Sequence, residues 1–106
     1  MITITGSILA KPETFDELLA LSLEHTHRSR GEPGCRLHSV HIDAENPMRL
    51  VFLEQWDDQK SVLTHFAVPA SREFVSQAGK LAASQPEISI YRSDEVSLAD
   101  FTSGRS

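Results

Sequence analysis

The chain is short of cysteine, of basic residues and of long apolar runs. Cys35 is the only cysteine among 106 residues, so no disulfide can form within the chain, and a reducing cytoplasm suits it. Ten Lys and Arg against 15 Asp and Glu give a formal charge of −5. This charge disfavours nucleic acid and anionic membranes, which require clustered positive charge. With no membrane-length apolar run and no basic leader region, we expect a cytoplasmic protein without nucleic-acid or membrane partners.

The composition that remains is that of an ordinary globular domain. Hydrophobic residues make up 40% and charged residues 24% of the chain, and the length fits one compact domain. The periodic pattern extends over residues 1–96. Residues 97–106 show no period and are predicted to be a C-terminal tail, with Leu98 and Phe101 as its large apolar residues.

Hydrophobic periodicity predicts four strands and three helices. The predicted strands are 2–10, 35–43, 48–57 and 88–96, and residues 44–47 form the turn of a hairpin. A capping box of Thr14 and Glu17 predicts the start of the first helix, which ends before Gly31. Asp57 and Asp58 precede a short second helix, which Pro69 separates from a third helix over 70–84.

The order β-α-β-β-α-α-β is that of an α+β ferredoxin-like plait, an antiparallel sheet with helices on one face. Both faces of strand 48–57 are largely apolar, whereas one layer of helices covers only one face. We therefore expect a second copy of the chain to cover the other face. Such a homodimer, with two sheets face to face, makes a dimeric α/β barrel.

Histidine pairs close in sequence do not have metal-ligand spacing. His25 and His27 are two residues apart on a predicted helix, where their side chains diverge. His38 and His41 are three apart on a predicted strand, where they lie on opposite faces. The sequence therefore predicts no metal site.

The third strand carries the residues that suggest a binding pocket. Phe52, Glu54 and Trp56 share one strand face, and an acid on a half-buried face needs a partner. Three residues could face the same space: His65, Arg72 and His38. A carboxylate, two imidazoles and an indole around an apolar cavity can bind and deprotonate a planar phenol.

An ordered set of short motifs resembles the antibiotic biosynthesis monooxygenase family. The set consists of Glu32-Pro33-Gly34-Cys35, Asp43, Asn46-Pro47, Glu54-x-Trp56 and His65. The resemblance implies a dimeric α/β barrel and, in some members, oxygen insertion into anthrones or hydroquinones without flavin, haem or metal. Haem-degrading relatives need an asparagine in the first strand and a histidine on the last helix. This chain has neither, so we expect no cofactor.

Two functions are consistent with these residues. The first is a cofactor-independent monooxygenase that oxidises a small aromatic quinol or anthrone with O₂. In it His65 or His38 is the base, Trp56 stacks on the substrate ring, and Glu54, Phe52 and Arg72 complete the substrate site. The alternative is a non-catalytic dimeric barrel that binds a small aromatic or stress-related metabolite in the same pocket. A third class, a purely structural partner protein, is suggested only by the two-sided apolar strands.

Overall fold

A computed structural model of the chain describes residues 1–105. Four strands form one sheet, and three longer helices and one short helix accompany it. The strands are β1 (Ile2–Leu9), β2 (Cys35–Asp43), β3 (Asn46–Trp56) and β4 (Glu87–Arg92). The helices are α1 (Phe15–Ser29), α2 (Gln59–Ala67), α3 (Pro69–Leu81) and α4 (Leu98–Thr102).

The sheet has the strand order β2-β3-β1-β4, and all its neighbouring strands are antiparallel. Ile4 at its centre pairs with Glu54 of β3 on one side and with Ile90 of β4 on the other. This arrangement confirms the predicted α+β ferredoxin-like fold. Within one chain the sheet is open, with β2 and β4 at its edges, so a barrel requires a second sheet.

Buried and half-buried residues alternate along β3, so the two faces of the sheet differ in burial. Leu50, Phe52, Glu54 and Trp56 are buried, while the residues between them are half-buried. The buried face packs against the helices in two clusters. One cluster is centred on Leu18, Leu50 and Phe52, and the other on Ile4, Trp56 and Val62.

Several element boundaries differ from those predicted. Strand β3 begins at Asn46 rather than Met48, because the hairpin turn needs only Ala44 and Glu45. Strand β4 ends at Arg92 rather than Val96, and the predicted tail contains the short helix α4. Within residues 1–105, no helix is long and apolar enough to cross a membrane.

The predicted capping box at the start of α1 is wrong. The Thr14 hydroxyl donates no hydrogen bond to the helix start and accepts none from it. It donates instead to the Leu81 carbonyl at the end of α3, at 2.7 Å. A tertiary contact between two helix ends has therefore replaced the local capping interaction.

The turn between α1 and β2 packs directly on helix α2. Gly34 has φ +81°, and its carbonyl accepts a 2.8 Å hydrogen bond from the Asp57 amide at the end of β3. A Cβ atom at Gly34 would overlap Ser61 in the first turn of α2. Glycine, which has no Cβ, therefore fits both the left-handed backbone at this position and the close contact with Ser61.

Candidate functional site

A cavity of about 620 Å³ lies between the sheet and helices α2 and α3. Its lining is mostly apolar and includes Ile8, Phe52, Phe66, Phe74 and Ile88. Its polar lining residues include His25, Glu54, His65, Ser71 and Arg72. The volume and composition are those of a pocket for a small organic molecule with a few orienting polar groups.

Three buried histidines from three different elements meet beside this cavity. His25 comes from α1, His38 from β2 and His65 from α2, and their exposed fractions are 6%, 1% and 3%. Their ring centroids are 5.2 to 5.7 Å apart. We call these three residues the histidine cluster.

The imidazole of His65 is oriented by a carboxylate. Its Nδ1 lies 2.7 Å from Oε1 of Glu32, which stands in the turn after α1. The carboxylate accepts, so the Nδ1 atom carries the proton and Nε2 is left as the basic nitrogen of the neutral ring. His65 also packs on Trp56, with ring centroids 4.6 Å apart. Together the carboxylate and the indole hold this imidazole in place.

His25 is held neutral by its surroundings. Its pKa is lowered to about 3, mainly by burial and then by the neighbouring His38, His65 and Arg28. The Arg28 guanidinium, which can only donate, donates to His25 Nδ1 at 2.9 Å. The ring also stacks on Phe74, with centroids 4.2 Å apart and planes 7° from parallel.

Glu54 is a buried carboxylate between His38 and Trp56. Its Oε1 atom accepts from Trp56 Nε1 at 2.9 Å and lies 3.4 Å from His38 Nε2. Burial alone would raise the pKa of Glu54, but the contacts with His38 and Trp56 and the nearby His65 outweigh it and lower this pKa. The carboxylate therefore stays ionised although little of it reaches solvent.

The predicted site residues divide into two groups. Phe52, Glu54, His65 and Arg72 line the cavity. Trp56 is fully buried and contacts Glu54 and His65, outside the lining. His38 is also outside it, against a smaller cavity of about 230 Å³ near Cys35. In this geometry Trp56 and His38 position other groups and do not face the main cavity.

Sequence reasoning missed the roles of His25 and Glu32. His25 was considered only with His27, yet it shares a buried helix face with Leu18, Ser22 and Ser29. The helical spacing of these residues was the signal that could have placed His25 on the buried face. Glu32 appeared only within the Glu-Pro-Gly-Cys motif, and no local pattern links it to His65, which is 33 residues away.

Comparison with known proteins agrees with this fold and these motifs. The sequence profile of the antibiotic biosynthesis monooxygenase family matches residues 1–77. An uncharacterised protein of Synechocystis sp. is 35% identical over 95 residues, which are 90% of this chain and 65% of that protein. The chain thus spans about two thirds of the length of that relative.

Solved structures give the same result. A Deinococcus radiodurans protein, provisionally assigned as an antibiotic biosynthesis monooxygenase, superposes with a TM-score of 0.86 at 26% identity. The match covers 91% of this chain and 95% of that one. A conserved protein from Methanosarcina mazei superposes with a TM-score of 0.83 at 28% identity, covering 88% and 92%. The chain belongs to the antibiotic biosynthesis monooxygenase family.

Proposed function

We propose that this protein is a cytoplasmic, cofactor-independent monooxygenase that oxidises a small quinol- or anthrone-type aromatic compound with O₂. The observation that carries the proposal is the Glu32–His65 pair at the edge of the apolar cavity. One ring nitrogen of His65 is fixed by a carboxylate at 2.7 Å, so the other can take a proton. His65 also lines the cavity in which an aromatic ring would bind.

Deprotonation is the step for which these residues are suited. Transfer of a phenolic proton to His65 Nε2 makes an electron-rich phenolate, and Glu32 stabilises the imidazolium that forms. The phenolate itself then reduces O₂. In oxidation of an anthrone, one oxygen atom enters the ring as a carbonyl and the other leaves as water. No separate reductant is needed, because the substrate methylene supplies the electrons.

The rest of the cavity serves binding and charge stabilisation. Phe52 and Phe74 offer apolar surface for a planar ring. Arg72 lines the same cavity and is exposed, so its guanidinium can approach an oxyanion. Trp56 acts on the substrate indirectly, by packing on His65. Glu54 lines the cavity and also holds Trp56 and His38.

Oxygen uptake tests the activity. Purified protein should consume O₂ faster than the spontaneous reaction with menadiol or an anthrone. His65→Ala should lower kcat about 100-fold, the lower range for loss of a general base, and Glu32→Gln should lower it less. His27→Ala is the matched control, since His27 is exposed on α1, away from both the cavity lining and the sheet face of the proposed dimer.

The proposal fails if uptake never exceeds the spontaneous rate or if His65→Ala leaves it unchanged. Trp56 is the only tryptophan, so its fluorescence distinguishes the enzyme from the alternative, a protein that only binds an aromatic metabolite. A quinone that quenches this emission saturably without turnover supports a protein that binds an aromatic metabolite and does no chemistry.

We further propose that the active species is a homodimer. The sheet face away from the helices presents Val51 and Leu53 at its centre and the exposed side chains of Leu37 and Tyr91 nearby. A second copy packed on this face would bury about 800 Å² per chain, a standard interface. Sedimentation should give about twice the chain mass of 11.8 kDa, and a clean monomer would contradict the proposal.

A further inference from the structure

The histidine cluster has the composition of a transition-metal site. Each of His25, His38 and His65 offers one ring nitrogen, and these three atoms lie within 4.8 Å of one another. Three imidazoles around a tetrahedral ion stand closer, since each metal–nitrogen bond is about 2.0 to 2.1 Å long. The ring nitrogens therefore need to approach one another by up to roughly 1.5 Å for all three to bind one ion.

His38 provides independent evidence that this cluster binds an ion. Both of its ring nitrogens are buried and have no hydrogen-bond partner among residues 1–105. Buried polar atoms are rarely left without partners, because the loss of hydration is not compensated. Glu54, at 3.4 Å from Nε2, is near enough for charge attraction but leaves this nitrogen without a hydrogen bond. A metal ion would use the unpartnered lone pair.

Two carboxylates lie beside the histidine cluster, as they do beside many imidazole metal sites. Glu32 accepts a 2.7 Å hydrogen bond from His65 Nδ1, the arrangement that orients metal-binding imidazoles and increases their basicity. Glu54 adds a second buried negative charge beside His38. The guanidinium of Arg28 donates to His25 Nδ1 and opposes a cation, so it must move aside when either ring nitrogen of His25 binds the ion.

Access and an open coordination position are provided by the large cavity. His25 and His65 both line it, so an ion can reach the cluster without unfolding of the chain. Three protein ligands leave a fourth position of a tetrahedral ion for water or a substrate oxygen.

We propose that His25, His38 and His65 together bind one divalent first-row transition-metal ion of the class that prefers imidazole, such as Zn²⁺ or Co²⁺. Binding uses the Nε2 lone pair of His65. On the proposed monooxygenase function, the ion then removes the catalytic base, so it inhibits oxygen uptake. That consequence rests on the proposed function, whereas the binding does not.

Equilibrium dialysis of the purified full chain with Zn²⁺ tests the binding directly. We expect about one ion per chain. His38→Ala should weaken the association at least tenfold, since loss of supporting groups alone costs 10- to 100-fold. His41→Ala is the matched control, on the same strand but exposed, and should bind as the wild type does.

A second pair of variants keeps the binding test valid if His38→Ala does not fold. His25→Ala should also weaken binding at least tenfold, whereas His27→Ala, on the exposed side of α1, should not. Co²⁺ bound to the wild type should give the visible absorption of a tetrahedral nitrogen site. Zn²⁺ should displace this absorption.

The inference is overturned if the wild type retains no Zn²⁺ on dialysis, or if His41→Ala and His27→Ala weaken binding as much as their buried counterparts. Dialysis does not depend on oxygen uptake. Zn²⁺ binding together with no catalysed uptake by the chelator-treated, metal-free protein would therefore remove the proposed function alone. Catalysed uptake without Zn²⁺ binding would remove this inference alone.

Discussion

Substitution of Gly34 by alanine tests how the turn after α1 is built against the site. At φ +81° an alanine is in the left-handed region, which costs about 1 to 2 kcal/mol. Its Cβ would lie 2.6 Å from Ser61 Cβ, well inside the ordinary carbon–carbon contact of about 3.5 to 4.0 Å. Overpacking of this kind adds about 1 to 3 kcal/mol. Gly34→Ala should therefore lower the free energy of unfolding by about 2 to 5 kcal/mol.

A second substitution separates the two costs. Ser61→Gly removes both atoms that the new Cβ would meet, so Gly34→Ala in that background should cost only the backbone part, about 1 to 2 kcal/mol. Ser61→Ala removes the hydroxyl but keeps the Cβ at 2.6 Å, so it should relieve little of the overlap. Each variant is compared with the parent that carries the same residue at 61.

Chemical denaturation with urea, followed by circular dichroism, provides the free energies. Gly79→Ala is the matched control, because Gly79 lies inside α3 with nothing within 4 Å of the added Cβ. It should stabilise the protein by about 0.5 to 1 kcal/mol through helix propensity. The reasoning is refuted if Gly34→Ala is as stable as the wild type, or if Ser61→Ala relieves the loss as fully as Ser61→Gly.

Two further predictions follow from titratable groups whose pKa values are shifted in the folded protein. The pKa of His25 in the folded protein is about 3 against an ordinary 6.5, so below pH 6.5 the unfolded chain takes up the proton first. In chelator-treated protein, the free energy of unfolding should fall by up to about 2 to 3 kcal/mol between pH 6.5 and about 4.5. His25→Leu should lack this part of the fall, and equal pH dependence in both proteins would contradict it. Burial raises the pKa of the Cys35 thiol, and Glu54 and Glu32 raise it further. The alkylation rate of Cys35 by iodoacetamide should therefore rise with a midpoint above pH 9.0, and a midpoint at or below that value would refute this.

The fold was largely determined by local sequence patterns. Alternation of side chains along 48–57 specified which residues face the helices, and the order of strands and helices specified the plait. The boundaries that differed are those set by tertiary contacts. Thr14 illustrates this, because its hydroxyl bonds to Leu81, 67 residues away, rather than to the helix start.

The sequence also determined part of the candidate site. Phe52 and Glu54 share a strand face, and that face forms one wall of the cavity as the period of two predicts. His65 and Arg72 reach the same cavity from helices α2 and α3. Spacing along the chain suggested the pocket, but it left open which of these groups would touch one another.

Only the tertiary structure decided the histidine cluster. His25 and His27 diverge on their helix, and His38 and His41 on their strand, so each pair taken alone excludes a shared ion. The fold brings together one buried member of each pair with His65, and the ring nitrogens come within 4.8 Å. Contacts between α1, β2 and α2 depend on packing of distant segments, and no local spacing encodes their separation in space.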